Sequence, residues 1–345
     1  MTALNIPALH AGDRVQDTFL VVGLETRSLD TGEVYTLLRI GNSTGEISTE
    51  PFWPTRQNEI AGIQRGQAVD IIGEVGTFRQ KRQIRVTSIR VLPKGSVDLS
   101  SLLPTVGPVE RYWDTIDGWR RSIEKPRLKR VLDLFFEDDE FRLKFERCPA
   151  SIRGHHAQLG GLLKHTTEVA AIARAVARAS GANLDLVLAG VLLHDIGKLE
   201  SYRWDGAFEY TVAGSLLGHV VIGALMFDRR LEVEKEPPCT IEERQVLQHL
   251  ILSHHGKLEY GSPVQPMTLE AEVLHWADNA SAKTASMSAV LRDDDSFADG
   301  PVSAPNWLID RRRVYRMGSD WGSQPTDDLG GDPAKGSFGP GDLGQ

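Results

Sequence analysis

The sequence predicts a protein of two parts, an all-β OB-fold barrel followed by an all-α helical bundle. Short runs rich in Val, Ile and Thr fill residues 13–92, and apolar residues recur with helical spacing from about residue 109 onward. A segment rich in Pro, Gly and Ser lies between them. The chain of 345 residues is 41% hydrophobic and 25% charged, which is typical of a globular protein with room for more than one domain.

Residues 13–92 are predicted to form about five short strands. The apolar runs are FLVVGLETRS, VYTLLRIGNSTGEIST, QAVDIIGEVGTF and RQIRVTSIRVL, and Gly, Asn and Asp separate them at strand-length intervals. This number of strands in so short a segment favours a small closed barrel such as an OB-fold. A β-sandwich or an SH3-like barrel that binds protein partners is the alternative.

A basic stripe in this barrel favours binding to single-stranded nucleic acid. Residues 77–94 carry six Lys or Arg residues and no acid, although the whole chain has a net charge of −8. Aromatic residues that could stack on bases, Tyr35, Phe52, Trp53 and Phe78, lie in the same region. Basic residues on an edge strand also prevent aggregation between sheets, so the stripe alone leaves both interpretations open. The residues expected to contact substrate are Trp53, Phe78, Arg79, Lys81 and Arg82.

A linker is predicted at residues 93–108 and a helical domain at residues 109–316. Seven segments of that domain have apolar residues at positions i, i+3, i+4 and i+7, among them one long segment at 126–148. Residues 317–345 are rich in Gly and Pro and offer too little apolar surface to offset the entropy of ordering. We therefore predict a flexible tail there.

Composition also limits the cellular setting. No window approaches the ~20 uninterrupted apolar residues of a membrane span, and the N-terminus lacks a basic segment followed by an apolar one. The cysteines, Cys148 and Cys239, stand apart and match no zinc-binding spacing, which fits a reducing compartment. We expect a cytoplasmic protein that does not associate with membranes.

Histidine and aspartate residues recur within or at the ends of the apolar helices. The run LAGVLLHDIGKLE contains His194 and Asp195, and the run QVLQHLILSHHGKLEYG contains His254 and His255. Burying imidazole and carboxylate groups is costly unless they are paired or bind a metal. Three further helical segments carry such a residue in apolar surroundings, namely His165, His219 and Asp278.

The residues alone leave two interpretations of these groups open. A single dipeptide such as His194–Asp195 is readily explained as a satisfied hydrogen-bonded pair. Polar groups on five apolar helical segments instead favour a metal centre inside a helical bundle. Imidazole and carboxylate ligands without thiolates suit Mn, Fe, Co, Ni or Zn, and so rich a set favours octahedral Fe or Mn.

The order His165, His194–Asp195, Asp278 resembles the motif of the HD superfamily of metal-dependent phosphohydrolases. With GHHAQLGGLLKHT, GSLLGHVVIG, SHHGKLEYGSP and the preceding barrel, the chain resembles the YhaM family, also called CMP-binding-factor proteins, over most of residues 13–316. The resemblance implies an HD-domain helical bundle. It also implies a 3′–5′ exoribonuclease that hydrolyses single-stranded RNA, or DNA, to nucleoside 5′-monophosphates.

The resemblance further implies roles for individual residues. Mn²⁺ is the favoured ion, with Fe²⁺, Co²⁺ or Ni²⁺ as alternatives, and one or two ions per chain are compatible with the ligands. Asp195 and Lys198 are the expected catalytic residues; Lys198 lies one helical turn after His194, so its ammonium can face the site and bind the scissile phosphate. His155, His156 and Lys257 are expected to face the substrate. The expected metal ligands are His165, His194, Asp195 and Asp278 for a first ion, and the bridging Asp195 with His219, His254 and His255 for a second.

Two other functions are open. HD-type sites also hydrolyse small nucleotides and cyclic dinucleotides, but the adjacent histidines of cyclic-di-GMP phosphodiesterases precede a GYP-type signature, whereas HHGKLEYGSP stands here. A non-catalytic single-strand-binding protein would have no need of seven candidate ligands. A barrel that binds polymers favours the exonuclease, and a homo-oligomer is compatible with it.

Overall fold

A computed structural model of the chain describes residues 3–79 and 81–318. A closed β-barrel comes first and a helical bundle follows it, which confirms the predicted OB-fold barrel and all-α bundle. Most of the predicted tail, from residue 319 onward, lies outside the described residues.

The barrel has the strand order β1-β2-β3-β5-β4 and closes through the pairing of β1 with β4. Its pairs are antiparallel except for β3 and β5, which run parallel, so the barrel is a five-stranded OB-fold. The strands are β1 (Arg14–Ser28), β2 (Val34–Asn42), β3 (Gly45–Thr49), β4 (Ala68–Phe78) and β5 (Lys81–Val91).

Alternating apolar residues of these strands fill the barrel interior. Phe19, Leu38 and Ile84 are completely buried there. Phe52 is buried in the same core, so its predicted stacking on a base is wrong. Its position after β3 turns the ring inward, a direction that composition alone does not show.

The bundle is built around one helix that is apolar on nearly every face. Helix α5 has buried side chains from Val187 to Leu193, because its sequence carries almost no polar residue. The helices are α1 (Glu110–Ser122), α2 (Pro126–Phe136), α3 (Asp139–Arg147), α4 (Gly161–Ser180), α5 (Leu184–Leu193), α6 (Lys198–Ser201), α7 (Val212–Glu232), α8 (Ile241–Ser253) and α9 (Leu269–Arg292). Two short strands, β6 (Tyr202–Arg203) and β7 (Glu209–Tyr210), form a hairpin between α6 and α7.

The long apolar segment at 126–148 is two helices rather than one. Asp138 ends the continuity, since its side chain accepts hydrogen bonds from the amides of Glu140 and Phe141 and so caps α3. The aromatic residues of both helices still pack together, with the rings of Phe136 and Phe141 5.3 Å apart in an edge-to-face arrangement.

The segment predicted as a linker packs between barrel and bundle. Leu102 and Leu103 are buried in one apolar cluster with Leu20 of β1 and Phe208 of the hairpin loop. Thr105 forms a parallel bridge to Leu159, just before α4. These contacts set the barrel directly beside the loop that leads into α4.

Helix α7 is long and apolar enough to cross a membrane by length and composition, the one such helix among residues 3–79 and 81–318. It is interrupted at Gly218, whose φ of 72° lies outside the helical region. Beyond that kink Phe227 and Leu231 are buried in the core of the bundle. The helix is therefore one of the packed helices of the bundle.

Candidate metal centre and catalytic cavity

The structure brings all seven predicted metal ligands together. They come from five segments of the bundle that meet at the C-terminal end of α5. The ligands are His165 on α4, His194 and Asp195 at the end of α5, His219 on α7, His254 and His255 at the end of α8, and Asp278 on α9.

A close approach of two backbones fixes the turn after α5. A Cβ atom at Gly197 would lie 2.0 Å from the carbonyl oxygen of His219, so only glycine fits there. The turn that carries Asp195 can therefore pack against α7 where His219 emerges. The sequence HDIGK thus places a carboxylate from one helix end beside an imidazole from another helix.

The carboxylate of Asp195 lies between two groups of imidazoles. Its Oδ2 atom is 3.2 Å from Nε2 of His194 and 3.5 Å from Nε2 of His165. Its Oδ1 atom is 3.4 Å from Nε2 of His219 and 3.7 Å from Nε2 of His254. One carboxylate therefore faces both groups, each through a different oxygen.

The donor atoms fall into two sets that are compact enough for a metal ion. Donor atoms of His165, His194 and Asp195 lie within 4.8 Å of one another, as do those of a second set, His219, His254 and His255. Asp278 adds to the first set, since its Oδ1 atom is 3.0 Å from Nε2 of His165. Imidazole and carboxylate donors in these numbers suit first-row divalent ions.

Hydrogen bonds at Nδ1 turn the Nε2 atoms toward the centre. Nδ1 of His194 lies 2.7 Å from the carbonyl oxygen of Val191, and Nδ1 of His254 lies 2.7 Å from that of Ile251. A carbonyl oxygen only accepts, so each Nδ1 carries the proton and each Nε2 keeps its lone pair. His255 is held in the same way, with Nδ1 2.6 Å from the carbonyl oxygen of Tyr260.

Those inward atoms have no hydrogen-bond partner among the described residues. They are the Nε2 atoms of His165, His194, His219 and His254, together with Oδ1 of Asp195, and all are buried. The short contact between His165 and Asp278 lacks hydrogen-bond geometry and does not change this. Buried lone pairs without partners are costly, and a cation among them would satisfy them together. The residues therefore fit a divalent metal.

A chain of hydrogen bonds supports His165 from behind. Its Nδ1 lies 3.2 Å from Oγ of Ser281, and that hydroxyl donates to Oε2 of Glu168 at 3.0 Å. The same carboxylate oxygen lies 2.7 Å from Nε2 of His156. Such outer partners fix the tautomer and orientation of a metal-binding imidazole.

Burial and neighbouring charges set the ionisation of the centre. Burial lowers the pKa of His219 to about 3 and holds that of His254 well below its ordinary value, so both imidazoles are neutral near neutral pH. Burial alone would raise the pKa of Asp195, but the ammonium of Lys198 and the imidazole of His194 hold it well below its ordinary value. For His194, burial is outweighed by Asp195, which raises the pKa.

A cavity of about 380 Å³ opens beside the candidate ligands. Lys198, His255 and Asp278 line its inner end, and Nζ of Lys198 donates to Oδ2 of Asp195 at 2.5 Å. Tyr260 and Trp307 line its outer part. The size suits a small organic ligand or one end of a larger one.

The two histidines expected to face substrate occupy different places. His155 lines the cavity, and burial lowers its pKa to about 2, so it is a neutral hydrogen-bonding group. His156 is not among the described residues that line the cavity, because its ring is hydrogen-bonded to Glu168. The structure gives His156 a supporting position instead.

The predicted contacts on the barrel lie outside this cavity. Trp53 is exposed beside Tyr35, with ring centroids 5.1 Å apart, and Phe78 is exposed at the tip of the β4–β5 hairpin with Arg79 and Lys81. The guanidinium of Arg82 donates to the carbonyl oxygens of Pro7 and Leu9 at 2.9 Å each, and its Nη2 atom lies 3.5 Å from Oδ2 of Asp295. Arg82 therefore holds the N-terminal segment against the barrel, and its contact with substrate stays a prediction. Nζ of Lys257 lies 5.7 Å from the ring centroid of Tyr260. Lys257 is therefore near the cavity, although it is not among the described residues that line it.

Glu168, Ser281 and Trp307 also contribute to the site, although none of them is among the residues predicted from the sequence. Glu168 follows His165 by three positions, and Ser281 follows Asp278 by three, so both lie one helical turn from a candidate ligand. That spacing was the available signal for them. Trp307 comes from the irregular segment after α9, where no periodicity points to a site.

The HD domain family matches residues 162–283, which contain all seven candidate ligands. Fold and site together define an HD-domain hydrolase. The chain belongs to the YhaM family: it is similar to the 3′–5′ exoribonuclease YhaM of Bacillus subtilis, with 31% identity over 312 residues that cover 89% of this chain and 96% of the relative. It is also similar to the 3′–5′ exoribonuclease YhaM of Geobacillus sp., with 30% identity covering 91% and 95% of the two chains.

The barrel has a weaker likeness among solved structures. A domain of replication protein A from Methanococcus maripaludis matches at 18% identity and a TM-score of 0.23, covering 27% of this chain and 98% of that domain. A likeness of this size adds nothing to the assignment of the barrel, which rests on its strand order.

Proposed function

We propose that the protein is a metal-dependent 3′–5′ exoribonuclease that hydrolyses single-stranded RNA to nucleoside 5′-monophosphates. The observation that carries the proposal is the carboxylate of Asp195, with one oxygen toward His165 and His194 and the other toward His219 and His254. The relatives are 3′–5′ exoribonucleases by name, and this supports RNA as the substrate and the 3′ end as the starting point of digestion. A cytoplasmic location and action on single-stranded DNA as well are part of the proposal.

The proposed ligand roles follow the two sets of donor atoms. His165, His194, Asp195 and Asp278 would hold one ion, and Asp195 with His219, His254 and His255 a second, with Mn²⁺ favoured at either position. Divalent ions bound there would supply an activated water and positive charge for the phosphate. One ion per chain is the alternative, with the second set of imidazoles then contacting substrate.

The chain's own residues would position and neutralise the scissile phosphate. Lys198 is buried at the inner end of the cavity and offers a fixed positive charge beside Asp195. His155, neutral because of its burial, can donate or accept a hydrogen bond without adding charge. Lys198 and Asp278 are buried at the inner end, where limited access of bulk water strengthens such interactions.

The test is digestion of one RNA labelled at either end, with Mn²⁺ present. From a 3′-labelled strand the labelled mononucleotide should appear at once, and from a 5′-labelled strand only after the rest has been removed. Chelation should stop both reactions, and metal analysis of the protein would identify the ion. Turnover of a cyclic dinucleotide without digestion of RNA would contradict the proposal and support a small-nucleotide hydrolase. Digestion of a DNA strand of the same sequence measures the preference for ribose over deoxyribose.

A further inference from the structure

A second cavity lies between the barrel and the bundle and adjoins the catalytic one. Its volume is about 230 Å³, and its walls come from β1–β3, the loop before β4 and the loop before α4. Gly154, Trp307 and Leu308 line both cavities. The two cavities therefore adjoin each other between the barrel surface and the candidate metal centre.

The second cavity is basic in a protein that is acidic as a whole. Three arginines from three separate segments line it, and Glu46 is the one acid among its described lining residues. The net charge of the chain is −8, so composition did not dictate this local excess. The arginines are Arg39 on β2, Arg65 before β4 and Arg153 before α4.

Two of the three arginines have an acidic neighbour, since Nε of Arg39 lies 3.1 Å from Oε2 of Glu46 and Nη1 of Arg65 lies 3.8 Å from Oε1 of Glu209. Arg65 donates to the carbonyl oxygen of Phe208 at 2.7 Å, which fixes its guanidinium across the domain junction, while its Nε atom is buried with no hydrogen-bond partner among the described residues. Arg153 is exposed and makes no hydrogen bond or ion pair within the described part of the chain. Burial lowers the pKa of Arg65, the charges of Arg153 and Arg39 lower it further, and Glu209 and Glu46 oppose that shift only in part. An anion among the three would relieve that repulsion.

Trp307 is an exposed indole on a fixed support. Its side chain is 61% exposed, yet Ile309, two residues on, is completely buried. The side chain of Asn306 accepts from the amide of Leu308 at 3.0 Å and caps this short turn. A rigid, exposed aromatic ring beside a basic cleft is the usual arrangement for stacking on an unpaired base.

We propose that the single strand reaches the metal centre through this cleft, with its phosphates on Arg39, Arg65 and Arg153 and a base near the 3′ end stacked on Trp307. The proposal rests on the proposed function and adds a path for the polymer. Guanidinium groups suit phosphate because their planar donors match its oxygens, and stacking tolerates any base. A duplex offers no free base face to Trp307, so the cleft would also select single strands.

The experiment measures how KM depends on strand length. For the wild type, KM should fall as RNA lengthens from two to about twelve nucleotides, because longer strands fill the cleft. Trp307→Ala and Arg153→Ala should lose much of that gain, on the order of 10-fold in KM for the longest strand. Arg153→Ala should also reduce the steepness of the dependence of binding on salt, since one phosphate contact is lost.

Trp276→Ala is the matched control. Trp276 is an exposed tryptophan on α9 that lies in neither described cavity lining, and it should keep the wild-type length dependence. Thermal melting checks that each variant folds. If Trp307→Ala does not fold, Arg153→Ala alone tests the proposal. If both variants fold and their KM depends on strand length as in the wild type, the proposed path is wrong. Failure of the wild type to digest any RNA would instead overturn the proposed function.

Discussion

Oδ1 of Asp195 lies 3.4 Å from Nε2 of His219, although the two residues belong to different helical segments and are separated by a hairpin. The other oxygen of the same carboxylate faces His194 at 3.2 Å. The carboxylate thus joins the two sets of candidate ligands. A substitution of Asp195 should therefore weaken metal binding by both sets of ligands, whereas a substitution of any single histidine should weaken binding by one set.

Asp195→Asn should abolish hydrolysis and leave RNA binding largely intact. The amide removes the negative charge between the two ligand sets while keeping the size of the side chain. Activity should fall by more than about 100-fold. Replacing a side chain that only supports a metal ligand already lowers metal affinity or activity by roughly 10–100-fold. Digestion of labelled RNA and fluorescence anisotropy measure the two effects on the same preparation. Activity within a few-fold of wild type would show that the site assignment is wrong.

Glu168→Gln should weaken metal binding, although Glu168 is not itself a candidate metal ligand. Glu168 is a positioning residue, since it accepts from Ser281, which in turn holds Nδ1 of His165. Removing its charge should lower the affinity for Mn²⁺ by roughly 10-fold, measured by calorimetric titration. Ser281→Ala breaks the same chain, so the double variant should lose little more than one single variant. Additive losses would show that the two residues act separately.

Glu272→Gln is the control for that experiment. Glu272 is exposed on α9, where it accepts a hydrogen bond from the indole of Trp276. Its replacement should leave the affinity for Mn²⁺ unchanged. A loss of the same size in this variant would point to a general effect of charge rather than to the chain behind His165.

Much of the fold follows from the pattern of apolar residues. Strand-length runs closed by turn residues predict the barrel, and helical periodicity predicts the bundle, because each period matches one backbone geometry. The break between α2 and α3 was not predicted, since Asp138 caps a helix only when its side chain turns back to the amides of the next turn. Periodicity across 126–148 gives no sign of that choice.

The candidate ligands could be predicted because imidazoles and carboxylates stand out in apolar helices. Their supporting partners could not. Glu168 and Ser281 are ordinary helix residues, and they meet only because α4 and α9 pack against each other. Phe52 shows the opposite error, because an aromatic residue in a nucleic-acid-binding fold belongs as readily to its core as to its surface.

Gly197→Ala should destabilise the protein more than any surface change. Its Cβ would lie 2.0 Å from the carbonyl oxygen of His219 and 2.4 Å from the amide nitrogen of Gly223, and backbone on both sides leaves no flexible atom to yield. Overpacking of this kind typically costs about 1–3 kcal/mol, occasionally more. Thermal melting and denaturant titration measure the loss, which should bring weaker metal binding because Asp195 moves.

Gly118→Ala is the matched control for that variant. Gly118 lies inside α1, and a Cβ there would meet nothing within 4 Å. Because alanine favours a helix over glycine, the variant should gain about 0.5–1 kcal/mol in the free energy of unfolding. Equal destabilisation by the two substitutions would contradict the close approach of Gly197 to α7.

An ion pair between α2 and α8 should make stability fall in acid. The Arg127 guanidinium donates to both carboxylate oxygens of Glu243 and, with the amide of Thr240, lowers the pKa of Glu243 from 4.5 to about 2. A carboxyl whose pKa is lower when folded contributes stability above its unfolded pKa and loses it as pH falls toward the folded value. Urea unfolding should therefore show that Arg127→Gln differs from wild type by a constant free energy above about pH 5, and that the difference shrinks below about pH 4.5. Arg121→Gln, at an exposed site in α1, is the control. If the difference in the free energy of unfolding between Arg127→Gln and the wild type stays constant into acid, the ion pair does not set the pKa of Glu243.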